Sequence, residues 1–535
     1  MESEWCAVTR VSTEASRRRT FAVISHPDAG KSTLTEALAL HAEVIDSAGA
    51  VHGKSGRKGV TSDWMEMERK RGISITSAVL QFAYRDHVIN LLDTPGHGDF
   101  SEDTYRVLAA VDAAVMLLDA AKGLEPQTLK LFDVCRARGI PVLTFVNKWD
   151  RPGREALELL DEVEQTIGLR PMPITWPLGI AGDLRGVVEV GTGELRRYTR
   201  TAGGATRGQV TIVPAEQAAV EEPDHWPAAQ EEISLLEEIG AQFDEKDFLA
   251  GIATPVLFGA ALAGVGVGRL LDALVDLAPA PEAREDAEGN PRALDTPLSG
   301  LVFKVQAGMD RSHRDRMAFV RICSGRFERG MVLTHAATGK PFATKYAQSV
   351  FGQERTTVEE AFPGDIVGLV NATALRPGDT LYASEPVLFP AIPSFSPEYF
   401  NVARGADAGR FKQFRRGIEQ LDSEGVIQVL RSDLRGDQSP VLAAVGPLQF
   451  EVVSSRMADE FGAPVLLETL GYSITRRTDA AGAELLAKQA EVEVLERRSD
   501  GALLAVFVNK WRLETIQRKY PDMTLEPLPA GSSGR

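Results

Sequence analysis

The sequence predicts a multidomain protein of mixed α/β and β class, with a doubly wound domain, then an antiparallel β-barrel, then an α+β domain. Three observations support this fold class. The chain has 535 residues, enough for about three or four domains of ordinary size. Apolar runs alternate with helical patterns up to residue 281. A proline-rich segment follows, and after it come short alternating strands separated by glycines.

Composition and charge narrow the class of protein. With 44% hydrophobic and 25% charged residues, the chain is neither disordered nor fibrous. Its formal net charge of −16 argues against a general DNA-binding protein, which needs excess lysine and arginine to release counterions. The three cysteines, Cys6, Cys135 and Cys323, are too widely spaced for a disulfide framework or a zinc site. We therefore predict a reducing compartment and no DNA partner.

Neither a secretion signal nor a membrane span is predicted. The N-terminal tail, residues 1–19, contains an arginine cluster that no long hydrophobic stretch follows. The longest uncharged apolar segment, Thr254–Gly268, is rich in glycine and shorter than the roughly 20 residues that a membrane span requires. We therefore expect a soluble, cytoplasmic protein without a membrane partner, and a monomer.

The doubly wound domain is predicted at residues 20–281. Helices are predicted at Leu124–Arg138 and Arg154–Ile167, where one side is charged and the other apolar. Residues 173 to about 249 interrupt the alternation of strands and helices, so we predict an insertion there that includes a hairpin. The predicted buried strands are Phe21–Ile24, Val88–Asp93, Ala113–Asp119, Val142–Asn147 and Pro255–Gly259.

Two further domains are predicted after a linker. Residues 282–297 lack periodicity and are rich in proline, alanine and charge, as linkers are. Residues 298–387 predict a small antiparallel barrel, with turns at Gly325, Gly330, Gly364 and Gly378. Residues 388–535 predict one α+β domain, with helices at Phe411–Glu419 and Leu448–Glu460 and strands at Val426–Leu430, Leu442–Val445 and Leu503–Val508.

A phosphate-binding loop is predicted between the first strand and its helix. The segment SHPDAGKST, Ser25–Thr33, stands between the apolar run FAVI and the helical pattern LTEALALHA. Backbone amides at the helix start would face phosphate groups. Lys31 would then reach the β- and γ-phosphates, and the Ser32 hydroxyl would bind Mg2+. Ser25 stands where such loops usually have their first glycine.

Two more motifs follow in the order that GTP binding requires. DTPGH places Asp93 at a strand's carboxyl end, where it can hold Mg2+ through water, and Gly96 where its amide can meet the γ-phosphate. NKWD offers Asn147 and Asp150 to the edge of guanine, and a carboxylate that pairs with two guanine nitrogens rejects adenine. A helix N-cap is the structural alternative for Asp93 alone. The ordered set predicts a P-loop GTPase that uses GTP, GDP and Mg2+.

Hydrolysis requires a group that orients the attacking water. His97 follows Gly96 and is predicted to do this, although a lone histidine usually has a structural role. The segment RGISIT, residues 71–76, is predicted to order around the γ-phosphate. Within it, Ser74 is the preferred second Mg2+ ligand and Thr76 is the reserve.

The backbone of Ala260 and Ala261 is predicted to reach guanine O6, with a packed strand end as the alternative. Together these motifs give the predicted site. Its catalytic residues are His97, Lys31 and Gly96. Its metal ligands are Ser32, Ser74 and, through water, Asp93. Its nucleotide-binding residues are Ser25, His26, Pro27, Asp28, Ala29, Gly30, Lys31, Ser32, Thr33, Asp93, Thr94, Pro95, Gly96, His97, Asn147, Lys148, Asp150, Ala260 and Ala261.

The motifs resemble those of the translational GTPases, and later segments resemble the bacterial peptide-chain release factor three family. The resemblance covers roughly residues 18 to 526. It is carried after the first domain by Val302–Gly325, Val358–Leu369, Ala444–Met457 and Arg518–Asp522. It implies a ribosome-stimulated GTPase that helps a codon-reading release factor leave the ribosome. The implied partners are the ribosome, both RNA and protein, and such release factors. Departures from the family pattern are Trp149, Arg404–Gly417 and Thr475–Ala505.

Two rival functions stay open at this point. An elongation factor G-like translocase would need further domains after the barrel, and residues 388–535 have the length of one. A non-catalytic GTP-dependent interaction protein would not need His97 beside the γ-phosphate. The basic segment at His313–Arg316, with Arg321, Arg326 and Arg329, is a candidate contact for ribosomal RNA phosphates, with solvated barrel loops as an equal alternative.

Overall fold

The computed structural model describes most of the chain. It covers residues 10–45, 77–199, 208–307, 316–351, 354–393, 395–432, 434–436 and 438–528. The segment RGISIT, with Ser74 and Thr76, lies outside the described residues, as does His313. The roles predicted for these residues stay predictions.

The first domain is a twisted sheet with helices on both faces and an insertion near its end. Its main strands are β1 (Arg18–Ser25), β2 (Ala78–Tyr84), β3 (His87–Asp93), β4 (Ala113–Asp119), β5 (Val142–Asn147), β6 (Arg170–Pro173) and β11 (Ala253–Phe258). The inserted strands are β7 (Thr175–Leu178), β8 (Gly186–Glu189), β9 (Leu195–Tyr198) and β10 (Val210–Val213). Its helices are α1 (Lys31–His41), α2 (Ser101–Leu108), α3 (Pro126–Ala137), α4 (Ala156–Ile167), the inserted α5 (Ala215–Glu221), α6 (Trp226–Glu238) and α7 (Glu245–Leu249), and α8 (Val267–Leu277).

The main sheet has the order β2-β3-β1-β4-β5-β11-β6. Alternate residues of β1 enter two separate cores, with Phe21 and Val23 on one face and Ala22 and Ile24 on the other. Strands covered on both faces read as continuous apolar runs, and this is why the sequence predicted them. The sequence did not predict β2, which runs antiparallel to β3 and pairs on its other side with the later strand Ala347–Phe351.

The insertion forms a layer of its own between β6 and β11. Its four strands pair in the order β10-β9-β8-β7, and the predicted hairpin is confirmed by the antiparallel pairing of β8 with β9. Trp176 on β7 is fully buried, and its indole N–H donates to Glu232 Oε2 at 2.8 Å. This bond fastens helix α6 to the inserted sheet.

The second domain is antiparallel throughout, as predicted. Residues 282–297, predicted as a linker, contain a short antiparallel pair, and Arg284 there donates to the Ala109 carbonyl at 2.6 Å. The strands are β12 (Arg284–Glu285), β13 (Pro291–Arg292), β14 (Ser299–Ala307), β15 (Arg316–Ser324), β16 (Phe327–Glu328), β17 (Val332–His335), β18 (Lys340–Ala343), β19 (Ala347–Phe351), β20 (Glu354–Thr357), β21 (Glu360–Ala361), β22 (Ile366–Val370) and β23 (Thr380–Tyr382).

Buried charges join the first domain to the barrel. Arg321 on β15 donates to both carboxylate oxygens of Asp112, at 2.7 and 2.9 Å, and to the Ala110 carbonyl at 2.9 Å. The predicted contact of Arg321 with RNA phosphates is wrong, because this side chain is buried between the two domains. Arg18 on β1 faces Asp365 at 3.2 Å. Burial raises the pKa of Asp365 even though Arg18 opposes that rise. Because one partner of each pair belongs to each domain, the pairs fix how the barrel sits against β1 and β4.

We expect Asp112→Ala to lower the free energy of unfolding by about 3 to 5 kcal/mol, the usual cost of leaving a buried charge unpaired. Urea unfolding followed by circular dichroism measures this. The matched control is Arg326→Ala, which breaks an exposed ion pair with Glu360 on the same barrel and should cost less than about 1 kcal/mol. Equal losses in the two variants would contradict a special role for the buried pair.

The third domain has one eight-stranded sheet in the order β27-β24-β26-β25-β29-β30-β28-β31. Its predicted helices and strands are all present, within a few residues at their ends. The strands are β24 (Tyr399–Gly405), β25 (Gln428–Arg431), β26 (Val441–Ala444), β27 (Val465–Leu470), β28 (Ile474–Thr478), β29 (Val492–Arg497), β30 (Leu503–Phe507) and β31 (Glu526–Pro527). The helices are α9 (Phe411–Glu424), α10 (Leu448–Asp459), α11 (Ala480–Leu486) and α12 (Lys510–Lys519).

Candidate nucleotide-binding site

The loop between β1 and α1 has the backbone shape of a phosphate cradle. Asp28 and Gly30 adopt left-handed conformations, with φ of 66° and 99°. A Cβ on Gly30 would stand 2.5 Å from Asn147 Nδ2, so the close approach of these two segments requires glycine. Lys31 begins α1 and is buried, with Nζ 3.4 Å from Ser25 Oγ. Ser25 therefore places a hydroxyl beside the lysine where a glycine is usual.

The DTPGH segment lies beside this loop because β3 is the parallel neighbour of β1. Asp93 is the register partner of Val23, and the Thr94 hydroxyl donates to the Val23 carbonyl at 2.6 Å. A Cβ on Gly96 would stand 3.0 Å from Lys31 Nζ and 3.4 Å from Pro27 Cα. The two motifs thus meet backbone to backbone around the lysine, which is the arrangement needed to enclose a phosphate chain.

Asn147 links the phosphate loop to the two segments predicted to bind guanine. Its amide Nδ2 donates to the Ala29 carbonyl at 2.9 Å, and its Oδ1 accepts from the Ala261 N–H at 2.8 Å. The structure therefore brings the phosphate loop, NKWD and the end of β11 together through one side chain. Asp150 is half-buried at the end of the same motif.

Lys148 has a contact that sequence reasoning missed. Its ammonium group donates to Asp119 Oδ2 at 2.8 Å and to the Asp28 carbonyl at 2.5 Å. The Lys148 contact and an N–H bond from Ala121 outweigh the effect of burial, so the pKa of Asp119 lies below its ordinary value. The sequence could have indicated Asp119, because this residue ends β4 and is the register partner of Asn147 at the end of β5.

Trp149, a departure from the family pattern, packs into the insertion. It is almost fully buried and meets Phe258 edge to face, with ring centroids 5.1 Å apart. Its indole N–H donates to the Gly179 carbonyl at 3.2 Å, and its own carbonyl accepts from Gly182 at 2.9 Å. The residue between Lys148 and Asp150 thus attaches the NKWD motif to the inserted layer.

His97 lies at the start of a short 3-10 helix, Gly98–Phe100. Its Nδ1 is 3.2 Å from Asp99 Oδ1 and 3.3 Å from the Asp99 N–H. Nδ1 can donate to the carboxylate only when it carries a proton, and it can accept from the Asp99 N–H only when it carries none. The protonation state of the ring therefore selects between the two hydrogen bonds. The hydrogen bond to Asp99 raises the pKa of His97 against the opposing effect of burial.

The other predicted loop residues surround the same cradle. His26 has Nε2 3.1 Å from Glu125 Oε1, yet burial outweighs this carboxylate and lowers the pKa of His26. Ser32 and Thr33 form the first turn of α1, and Pro95 continues the segment after Thr94. Ala260 and Ala261 stand at the end of β11, where Ala261 meets Asn147. The structure therefore gathers every described member of the predicted site at one edge of the sheet.

No cluster of three or more histidine, cysteine or acidic side chains in the described part of the chain is arranged to hold a metal ion. Among the described helices, none is both long and apolar enough to cross a membrane.

Three family models match consecutive parts of the chain. The Elongation factor Tu GTP binding domain matches residues 16–280, Elongation factor G domain 2 matches residues 297–384, and the C-terminal domain of Class II release factor RF3 matches residues 389–517. The crystal structure of ttk003000868 from Thermus thermophilus shares the fold, with a TM-score of 0.67 and 24% identity. It covers 86% of this chain, which spans 69% of that structure.

Curated relatives match over nearly the whole chain. Peptide chain release factor 3 of Microcystis aeruginosa is 47% identical over 522 residues, 96% of each chain. The protein of the same name from Rippkaea orientalis is 45% identical over 531 residues, 98% of each chain. Fold and site together define a translational GTPase that binds GTP and GDP. At these identities, the chain belongs to the peptide chain release factor 3 family and is a class II release factor.

Proposed function

We propose that this protein is a ribosome-stimulated GTPase that promotes the departure of codon-reading release factors during translation termination. The observation that carries the proposal is the meeting of three motifs: DTPGH lies against the phosphate loop at Lys31, and NKWD contacts the same loop through Asn147. His97 directly follows Gly96, and the chain has the domain series of peptide chain release factor 3. Binding to the ribosome and the cytoplasmic location follow from this role.

The loop between β1 and α1 fits a nucleoside triphosphate bound with Mg2+. Lys31 supplies a positive charge to the β- and γ-phosphates, and the backbone amides at the start of α1 face the same groups. Ser32 and Asp93 would hold Mg2+, the serine directly and the aspartate through water. Mg2+ neutralises the charge that develops on the phosphates. Asn147, Lys148, Asp150 and Ala261 surround the position of the base.

His97 supplies the water-positioning group for hydrolysis. When the neutral ring carries its proton on Nδ1 and donates it to Asp99, Nε2 is the ring nitrogen left to accept a hydrogen bond from water. Gly96 brings its backbone N–H to the γ-phosphate side of the site, since it lies against Lys31. Bond cleavage in phosphoryl transfer depends mainly on positioning and charge, and these groups supply both.

Hydrolysis can drive release only through a difference in affinity. A ligand shifts an equilibrium by the difference between its affinities for two states, so the GTP and GDP forms must fit two ribosomal states unequally. The γ-phosphate would order the segments RGISIT and DTPGH and so fix the first domain against the other two. The ribosomal state with a departed release factor would then favour the GTP form.

The test uses terminated ribosomes that carry a fluorescently labelled codon-reading release factor. We expect the label to depart faster when this protein is added with GTP than with GDP, and no mRNA movement in a parallel translocation assay. A non-hydrolysable GTP analogue separates binding from turnover. Movement of mRNA by one codon, or an unchanged rate of departure, would show that the protein serves a different step.

A further inference from the structure

Asp99 connects His97 to the third domain. One carboxylate oxygen of Asp99 faces His97 Nδ1 at 3.2 Å. The other accepts a hydrogen bond from the backbone N–H of Leu448, the first residue of α10, at 2.7 Å. The His97 and Leu448 contacts outweigh the effect of burial and lower the pKa of Asp99, so the carboxylate is charged at neutral pH. Asp99 thus joins His97 to Leu448, which lies 349 residues after Asp99 in the chain.

The third-domain side of this contact is built for close approach. A Cβ on Gly446 would collide with the carboxylate carbon of Asp99, so glycine at that position leaves room for it. Gln449 holds the same loop by accepting from the N–H groups of Val445 and Gly446, at 2.8 and 3.1 Å, and by donating to the Val426 carbonyl at 2.7 Å. The loop that contacts Asp99 is therefore held in place by hydrogen bonds to Gln449, and its glycine leaves room for the carboxylate.

Apolar packing surrounds this polar contact. Phe100, next to Asp99, is buried against Val452 of α10, with Val426 and Leu448 beside them. A second polar contact joins the same two domains nearby, because Arg106 on α2 donates to the Gly425 carbonyl at 3.2 Å. Arg106 also pairs with Glu102 of its own helix, so it offers a matched interdomain contact that does not involve the histidine.

We propose that Asp99 is a positioning residue that ties the imidazole of His97 to the docked position of α10. The inference rests on the function proposed above and adds a route from the third domain to the hydrolysis step. When α10 is docked, Leu448 holds the Asp99 carboxylate, and the carboxylate fixes the ring with Nδ1 toward Asp99 and Nε2 toward water. When the third domain moves, Asp99 loses that hold and the ring is no longer fixed. Ribosomal contacts with the third domain can therefore change the rate of hydrolysis.

The test compares variants by ribosome-stimulated turnover, with nucleotide affinity and thermal stability measured alongside. We expect Asp99→Ala to lower kcat by roughly tenfold or more, the scale of a lost orienting group, with KM for GTP unchanged. Asp99→Asn should behave similarly. Its amide can still accept from Leu448, but it presents an N–H to His97 Nδ1 and so selects the ring tautomer in which Nε2 is protonated and cannot accept from water. Gly446→Ala should give the same loss from the opposite side of the contact.

A double-mutant cycle identifies the route. Asp99→Ala should add no further loss to His97→Ala, since a positioning residue acts through the group it positions. Independent, additive losses would overturn the inference, and so would an equal, His97-dependent loss in the control Arg106→Ala. If His97→Ala lowers turnover and Asp99→Ala does not, this inference alone fails. If His97→Ala itself has no effect, the proposed role of His97 fails with it.

Discussion

Replacement of His97 by alanine is expected to lower ribosome-stimulated GTP hydrolysis by a factor of roughly 100 or more, the scale of a lost positioning or general-base group. GTP affinity should stay near that of the unchanged protein, because the phosphate contacts come from Lys31 and the backbone of the loop. The measurement is multiple-turnover phosphate release with saturating ribosomes, together with equilibrium GTP binding.

The matched control is His87→Ala. His87 is the first residue of β3, the strand whose other end leads into DTPGH, and it is likewise partly buried. The variant therefore removes an imidazole without touching the site. We expect stimulated turnover to be unchanged in this control. If His97→Ala keeps full stimulated turnover, His97 has a structural role and another group orients the water.

Replacement of Asp150 by asparagine is expected to weaken GTP binding by roughly two orders of magnitude or more, and to improve binding of xanthosine triphosphate. A site that pairs with specific donors discriminates strongly, because a mismatched partner leaves buried polar groups unpaired. The amide presents a donor where the carboxylate accepted, and xanthine carries a carbonyl where guanine carries its amino group. Competition binding with the two nucleotides measures both changes.

The control for this substitution is Asp161→Asn, the same change on the exposed surface of α4. It should leave the affinities for both nucleotides unaltered. Unchanged GTP affinity in Asp150→Asn would contradict the assignment of NKWD to the base. A loss of affinity for both nucleotides would also contradict it, because such a loss indicates a disturbed loop instead of a reversed hydrogen-bond pattern.

The sequence predicted the parts of the site that depend on local pattern. Parallel strands covered on both faces are continuous apolar runs, so the ends of β1, β3 and β5 could be located, and the motifs follow them directly. Sheet topology then brings these ends to one edge, where the segments predicted as the phosphate loop, DTPGH and NKWD lie in contact.

Contacts between distant segments left no such signal. The Asp99 bond to Leu448 and the pairing of Arg321 with Asp112 join residues in different domains, and neither pair has a spacing or periodicity that would reveal it. Strand β2 was missed for a related reason. It carries Gln81 among apolar residues, so its pattern is that of a mixed segment. From the sequence, Trp149 could be identified only as a departure from the family pattern. The structure shows its structural role, which is to pack against Phe258.

We expect the ribosome to stimulate GTP hydrolysis at this site. The most direct test is the rate of phosphate release from GTP by the unchanged protein alone, with empty ribosomes, and with ribosomes halted at a stop codon after peptide release. We expect slow turnover for the protein alone and an increase of at least roughly 100-fold with ribosomes, since P-loop GTPases are slow until a partner completes their site. Equal rates in all three conditions, with GTP binding intact, would contradict this expectation.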